Sequence, residues 1–374
     1  MPSCKRKVLL LSVGYGEGHH SAARALAEEF ARGGWQTEMI DSCQRANPVL
    51  FPLTQRFYHY CVRSMPWLWR VTYAQTETAD WARLIHFPGL RRCMTYLREK
   101  LQGWSPDLVV CTYPLFAYMM DEFRREGWWK APCVLVVTDA LEISRPWMLT
   151  ETPLVCLTDE YSLSLVRERY APAPGRLAAT GFPVRSAFHE PEGGRPLPDR
   201  NHLRVVYGAY APVPRVVADV RLLLQLCPGA RITLLAGERR EKLCRLLPDE
   251  LRGGRLSILT RSDDMPGLFR DCHLYIGKAG AATLFEAYAS VVPVVVNYAL
   301  PGQEQGNLEL LQRDGAGSYA EETAELGAQV EQLLADGARR WLARCEAIRA
   351  SQRSGGASRI VELVEKTFFE GKNS

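Results

Sequence analysis

No run in the 374 residues approaches the ~20 consecutive apolar side chains that a membrane-spanning helix needs, so the sequence offers no helical span. It also has no CxxC pair: the eleven cysteines stand singly at 4, 43, 61, 93, 111, 133, 156, 227, 244, 272 and 345. That spacing argues against a zinc site or a disulfide framework and suits a reducing cytoplasm. Cys111, Cys133 and Cys156 lie inside apolar runs and read as core residues. Internal repeats and low-complexity tracts are missing as well. So is a dinucleotide fingerprint, because Gly14-Tyr15-Gly16-Glu17-Gly18-His19 carries histidine where the third glycine would stand. An NAD-linked oxidoreductase is thereby excluded.

What is present is ordinary in bulk and uneven in detail. Hydrophobic residues make up 47% and charged residues 24%, and the length fits two domains, each able to bury its own core. Lys5-Arg6-Lys7 followed by Val8–Val13 imitates a leader, but the apolar part is short and runs into a glycine loop, so it reads as a first strand. Continuous apolar runs at Val8–Val13, Thr37–Ile40, Leu108–Thr112, Val134–Thr138 and Leu154–Leu157 alternate with helical patterns such as His20–Arg32. Strands buried on both faces look like this, which predicts a parallel sheet covered by helices. A second series follows at Leu203–Tyr207, Arg231–Ala236, Arg255–Leu259, Leu274–Ile276 and Val291–Asn297. Between the two, the glycine- and proline-rich stretch around Glu190–Asn201 reads as a linker. The expected organisation is a first domain over 1–189, a linker over 190–202, a second domain over 203–357, and a terminal helix and tail over 358–374. The fold class is α/β, two Rossmann-like doubly wound domains facing each other across a ligand cleft at their strand ends.

Two motifs carry chemistry. In Val8–Leu26 a strand enters a glycine loop and then an alanine-rich helix, an arrangement that lets backbone approach a polar or anionic ligand closely. His19 at that junction is an ionisable group able to act as a base near neutral pH. In Gly277–Asn307 a strand again leads through Lys278-Ala279-Gly280 to a helix start, where loop amides can hold a diphosphate. Glu286, one turn on from Thr283, can accept hydrogen bonds from a ribose diol. Gln303, Glu304 and Asn307 after the next strand suit sugar hydroxyls.

Between Cys43 and Ser105 nine basic residues face three acidic ones, an excess of six where the whole chain has four. Trp67, Trp69, Trp81 and Trp104 interleave with Arg70, Arg91 and Arg92 there. Basic and aromatic residues so mixed point to an anionic membrane surface; a solvated helical face with core tryptophans is the plainer alternative. No nucleic-acid motif accompanies the charge.

Taken together, these segments resemble the GT-B glycosyltransferases of the monogalactosyldiacylglycerol synthase and processive diacylglycerol glucosyltransferase group. These are relatives of the transferase that adds N-acetylglucosamine to the peptidoglycan lipid precursor. The resemblance covers nearly the whole chain. It rests on Gly16-x-Gly18-His19-x-x-Ala22-Ala23-x-Ala25-Leu26, Thr138-Asp139, Thr180-Gly181-Phe182-Pro183-Val184, Lys278-x-Gly280-x-x-Thr283-x-x-Glu286 and Pro301-Gly302-Gln303-Glu304-x-x-Asn307. It implies inverting transfer of a hexose from a UDP-sugar to a lipid hydroxyl, with no cofactor and no obligatory metal, at the cytoplasmic face of a membrane. His19 would be the base, while Gly16, Gly18 and Asp139 would shape the acceptor loop. Gly280 and Thr283 would hold the diphosphate, Glu286 the ribose, and Gln303, Glu304 and Asn307 the donor's sugar or its immediate surroundings, with Gly208 and Lys278 also in the donor site. The 43–105 segment corresponds to the membrane- and acceptor-binding insertion. The chain departs from the family pattern at three places. No histidine follows Thr138-Asp139, the loop after Tyr207 has one glycine, and Ala279 and Ala281 stand at the donor loop. Two alternatives stay open on the same fold: a sugar-nucleotide epimerase, and a non-catalytic member that binds a sugar nucleotide or lipid.

Overall fold

The computed structural model describes residues 5–14, 17–141, 143–170, 176–299 and 304–370. It leaves aside the side chains of residues 17, 59, 62–64, 66, 67, 69, 70, 72 and 73. Gly16 and Gln303, and the side chains of Trp67, Trp69 and Arg70, therefore lie outside the described residues.

The chain divides into two compact α/β units. One comprises Met1–Arg185 and Ser354–Ser374, the other Ser186–Leu300 and Glu304–Arg353. Each holds a six-stranded, wholly parallel sheet. The first contains β1 (Lys7–Leu11), β2 (Gln36–Ile40), β3 (Leu108–Cys111), β4 (Cys133–Val136), β5 (Leu154–Leu157) and β6 (Arg176–Ala179), in the order β2-β1-β3-β4-β5-β6. The second contains β7 (Arg204–Gly208), β8 (Arg231–Leu235), β9 (Leu256–Leu259), β10 (Leu274–Lys278), β11 (Val294–Tyr298) and β12 (Gly317–Tyr319), in the order β12-β11-β10-β7-β8-β9. Strand order reverses between β1 and β3 in one sheet and between β7 and β10 in the other. Loops leaving the carboxyl ends of those pairs diverge, and such a switch point opens a crevice for ligands.

In the first unit, β1 leads into α1 (Glu17–Arg32). Five helices then lie between β2 and β3: α2 (Ser42–Ala46), α3 (Leu50–Ser64), α4 (Pro66–Thr78), α5 (Trp81–Leu84) and α6 (Pro88–Trp104). They are the basic–aromatic segment, and α6 buries Cys93, Met94, Leu97 and Leu101 against the sheet. Trp81 and Trp104 also pack on this core, half-buried. These two tryptophans thus follow the plainer alternative.

The chain returns to the first unit at its end. The helix Gly356–Val364 sets Ala357, Ile360, Val361 and Val364 against Leu10, Leu26 and Phe30. Gly181 has φ 93°, and a Cβ on Gly356 would lie 2.2 Å from the Phe182 carbonyl oxygen, so both glycines serve this close crossing. The Gly181-Phe182-Pro183-Val184 motif thus has a packing reason of its own.

The stretch expected to be a linker, 190–202, belongs to the second unit. Arg195 donates to four backbone carbonyls there, and the Pro196 carbonyl accepts from His273 Nε2 at 3.1 Å. His273 is only 4% exposed, and its Nδ1 accepts the Arg204 amide at 3.0 Å. Burial, with Arg195 and Arg204 nearby, pushes its ring down to about 4. An unfolded chain takes up this proton below pH 6.5 and the folded one does not, so His273's contribution is intact above 6.5 and is lost as pH falls toward 4. Its full size is about 3 kcal/mol. In urea melts, the stability gap between wild type and His273→Gln is expected to shrink by that amount between pH 7 and pH 4.

Candidate active site

The first switch point gathers one cluster. Helix α1 begins at Glu17, not at His20, so His19 sits within its first turn and Gly18 is helical instead of a loop residue. Nothing lies within 4 Å of where a Gly18 Cβ would be. Gly14, which follows β1, is tied down by neighbours: its amide donates to Asp41 Oδ2 at 3.0 Å, and Gln55 of α3 donates its amide to the Gly14 carbonyl. His20 turns back to Ser12, Nδ1 to Oγ at 2.8 Å.

His19 Nδ1 lies 2.9 Å from Thr138 Oγ1, beyond the end of β4, and the Thr112 hydroxyl donates to the His19 carbonyl at 3.1 Å. The ring meets Tyr113 edge-on, centroids 5.0 Å apart, and Trp147 at 6.2 Å. Burial lowers the His19 pKa to about 4, partly offset by a backbone hydrogen bond at Thr112 and reinforced by His20. The ring is therefore neutral at physiological pH. Asp139 points elsewhere: its Oδ2 accepts Trp147 Nε1 at 2.7 Å. Burial raises this carboxyl to about 6, against the Trp147 bond and with help from the charge of Glu77. Sequence reasoning named His19 and Asp139 but missed Tyr113 and Trp147. A lone aromatic after a strand carries no periodic signal.

The second switch point gathers the other motif. The helix Ala281–Ala289 starts at Gly280, which has extended φ/ψ and no side-chain cap, so its first-turn amides are available to an anion. Lys278 pairs with buried Glu304, Nζ to Oε1 at 2.7 Å, and its ammonium lies 5.2 Å from the ring centre of Tyr210. Thr283 is half-buried on the first turn. Glu286, which could have been a surface charge, is 9% exposed. Asn307 is buried and donates to the Ala279 carbonyl at 2.9 Å, so it holds the loop itself. Gly208 is needed by its own neighbours, since a Cβ would lie 2.8 Å from the Tyr275 hydroxyl. The glycine-poor loop after it is gripped by Arg239, whose Nη1 donates to the carbonyls of Ala209, Tyr210 and Ala211 at 3.1, 3.3 and 2.6 Å. Arg239 and Tyr210 were not foreseen either. Nothing in the local pattern separates Arg239 from the surface arginines around it.

Comparison with known proteins agrees with this layout. The family model described as monogalactosyldiacylglycerol (MGDG) synthase matches residues 19–184. A processive diacylglycerol beta-glucosyltransferase of Bacillus cereus (strain AH187) is 27% identical over 376 residues, spanning 96% of this chain and 93% of its own length. Among solved structures, MurG of Acinetobacter baumannii aligns with a TM-score of 0.57 at 15% identity, over 96% of this chain and 99% of that one. A candidate UDP-N-acetylglucosamine 2-epimerase from Listeria monocytogenes aligns at 0.63 and 13% identity, over 98% and 97%. These structural likenesses carry the fold alone. That fold, two parallel α/β sheets each covered by helices, is the GT-B fold. In sequence, the chain is similar over nearly its whole length to processive diacylglycerol beta-glucosyltransferases, and over residues 19–184 to the monogalactosyldiacylglycerol synthase family.

Proposed function

We propose that the protein is an inverting hexosyltransferase, moving a sugar from a UDP-hexose to the hydroxyl of a diacylglycerol-type lipid at the cytoplasmic face of a membrane. The observation that carries this reading is His19: a neutral imidazole at a helix start, oriented by Thr138 and walled by aromatic rings. With Nδ1–H donating to Thr138, Nε2 keeps its lone pair for the acceptor proton. The acceptor oxygen attacks the anomeric carbon as the bond to UDP breaks, and inversion follows from a single displacement. The leaving diphosphate gains from the amides at Gly280–Thr283 and from Lys278, charge stabilisation that needs no proton. Glu286 takes the ribose, while Glu304 and Gln303 take the sugar. Asp139 reaches the site through Trp147, and Asn307 and Gly208 shape the donor loops.

Lipid access is assigned to the α2–α6 segment. Leu50, Leu53, Phe57 and Tyr60 recur along one face of α3 and are all exposed, Phe57 at 62%. Leu50 lies beside Gly89 at the start of α6, where exposed Phe87 precedes exposed Arg91 and Arg92. These arginines line a groove of about 550 Å³ with His86, Thr95 and Tyr96. An apolar stripe rimmed by guanidiniums suits partial insertion at an anionic surface. No helix among the described residues is long and apolar enough to cross a membrane. Near such a surface each arginine is worth about 1 kcal/mol, so Arg91→Ala with Arg92→Ala is expected to weaken vesicle binding about 30-fold at low salt. The difference should fade at high salt. Leu53→Ser with Phe57→Ser should weaken binding by an amount that salt leaves unchanged.

The deciding experiment is UDP release from a panel of UDP-hexoses, with and without anionic vesicles containing diacylglycerol. Vesicle-dependent release supports lipid glycosylation, whereas release without lipid points to hydrolysis or a soluble acceptor. Donor binding without turnover would favour the non-catalytic alternative. Lys278 held by Glu304 and Tyr210 makes that alternative worth testing.

A further inference from the structure

Among the described residues of the α2–α6 segment, Glu77 has a buried carboxylate oxygen without a hydrogen-bond partner and sits against the start of the helix that bears Trp147. It lies in the last turn of α4. Its Oε2 accepts the Arg145 amide at 2.9 Å, while Oε1 is buried and has no hydrogen-bond donor among the described residues. Arg145 opens the short helix Arg145–Met148, which carries Trp147 onto His19. Four residues after Glu77, Trp81 stacks on Tyr118 at 6.0 Å and meets Tyr113 at 6.2 Å, and Tyr113 meets His19. The charge of Glu77 also acts on Asp139. A carboxylate with one oxygen left without a donor is thus linked to the candidate base through the aromatic rings of Trp147, Trp81 and Tyr113.

Leaving such an oxygen desolvated and unpaired is costly, and a hydroxyl donor repays it. Aromatic faces with a carboxylate acceptor are suited to a sugar ring, apolar on its C–H face and rich in hydroxyl donors. Diacylglycerol offers one hydroxyl, which transfer consumes, and so nothing for Glu77. An acceptor that already carries a hexose has several.

We propose that Glu77 selects glycosylated acceptors: Oε1 accepts a hydroxyl of the acceptor's sugar while another hydroxyl of that sugar faces His19. The proposal rests on the lipid-glycosylation reading above and adds to it a residue that separates the second transfer from the first. A site built to hold a hydroxyl discriminates strongly against a ligand lacking it.

The test compares kcat/KM for diacylglycerol and for monohexosyl-diacylglycerol, presented in the same vesicles, in wild type and Glu77→Gln. Glutamine keeps the size and an oxygen for the Arg145 amide. The variant is expected to lose about tenfold more on the glycosylated acceptor than on diacylglycerol, mainly in KM. Equal losses on both acceptors, or no loss on either, would overturn the proposal. A binding arm needs no turnover and no variant: quenching of tryptophan fluorescence by octyl glucoside against octanol. Wild type should bind the glucoside at least about tenfold more tightly, and equal binding of the two would sink the idea even if Glu77→Gln fails to fold. If no UDP-sugar is consumed with any acceptor, the transferase reading falls, while the glucoside comparison still decides the role of Glu77.

Discussion

Replacing His19 by alanine is expected to lower kcat for vesicle-dependent UDP release by about 10³-fold, the usual worth of a positioned general base. UDP binding should be unchanged, because the Lys278–Glu286 elements belong to the other unit. The pH profile gives an independent check. A base must be deprotonated to act, so activity is present above its pKa and disappears as pH falls through it. Burial sets the His19 ring near 4, so the acid limb of kcat/KM should lie there and not near the ordinary 6.5. A loss centred on 6.5 in wild type would mean that His19 is solvated during catalysis or that another group is the base. Thr138→Val, which removes the hydroxyl 2.9 Å from Nδ1, should give a smaller loss in kcat with the acceptor KM little altered. The hydroxyl orients the ring and does not contribute the lone pair.

The choice of Thr138 over Asp139 as the ring's partner has a chemical consequence. A carboxylate at Nδ1 would stabilise the imidazolium and raise its pKa, whereas a neutral hydroxyl leaves the ring a weaker base. In the proposed reaction a weaker base takes up the acceptor's proton later, after the bond to the leaving group has opened. Attack on an oxocarbenium-like centre tolerates that order, because the acceptor oxygen becomes acidic as it bonds. In the proposed reaction, stabilising the departing diphosphate at Gly280–Thr283 would then lower the barrier alongside the base.

Ten of the twelve strands among the described residues were legible in the sequence, and the two that were not show why. Interior strands such as β3 (LVVC) and β5 (LVCL) are buried along their whole length and must read as apolar runs. The edge strands β6 (RLAA) and β12 (GSY) are half-exposed and need no such run. The placement of the motif residues was legible where a strand, a glycine loop and a helix start follow in order, as at His19 or Thr283–Glu286. Partners supplied by distant loops were not: Trp147 reaches Asp139, and Arg239 grips the loop at Ala209–Ala211, by tertiary placement alone. The segment 190–202 misled for a related reason. Glycine and proline mark irregular backbone, and irregular backbone can be strapped to a domain as well as strung between two.

Arg195 does the strapping, and its removal is expected to have the largest effect on stability. Nε donates to the Arg270 carbonyl at 2.9 Å, Nη1 to Val291 at 3.0 Å, and Nη2 to Phe269 and Ser290 at 3.0 and 2.5 Å. Those carbonyls finish two helices, Met265–Asp271 and Ala281–Ala289, whose last turns leave acceptors without intrahelical donors and carry the negative end of the dipole. One planar guanidinium therefore caps both ends at once. The second helix is the one whose opposite end presents Gly280 and Thr283. Alanine at 195 should cost about 3 kcal/mol, the scale of charge-assisted hydrogen bonds lost with their acceptors left behind. For a unit of this size that is a fall of roughly 6–12 °C in Tm. Lysine should recover only part of it, since a point charge on a flexible stem cannot span four acceptors in two directions. If Arg195→Lys melts with wild type, charge alone holds the two helix ends and the forked geometry is idle. If it melts with Arg195→Ala, the fork is the strap. Weaker UDP binding in the alanine variant, measured well below its Tm, would show that fixing the far end of Ala281–Ala289 also steadies the amides at its start.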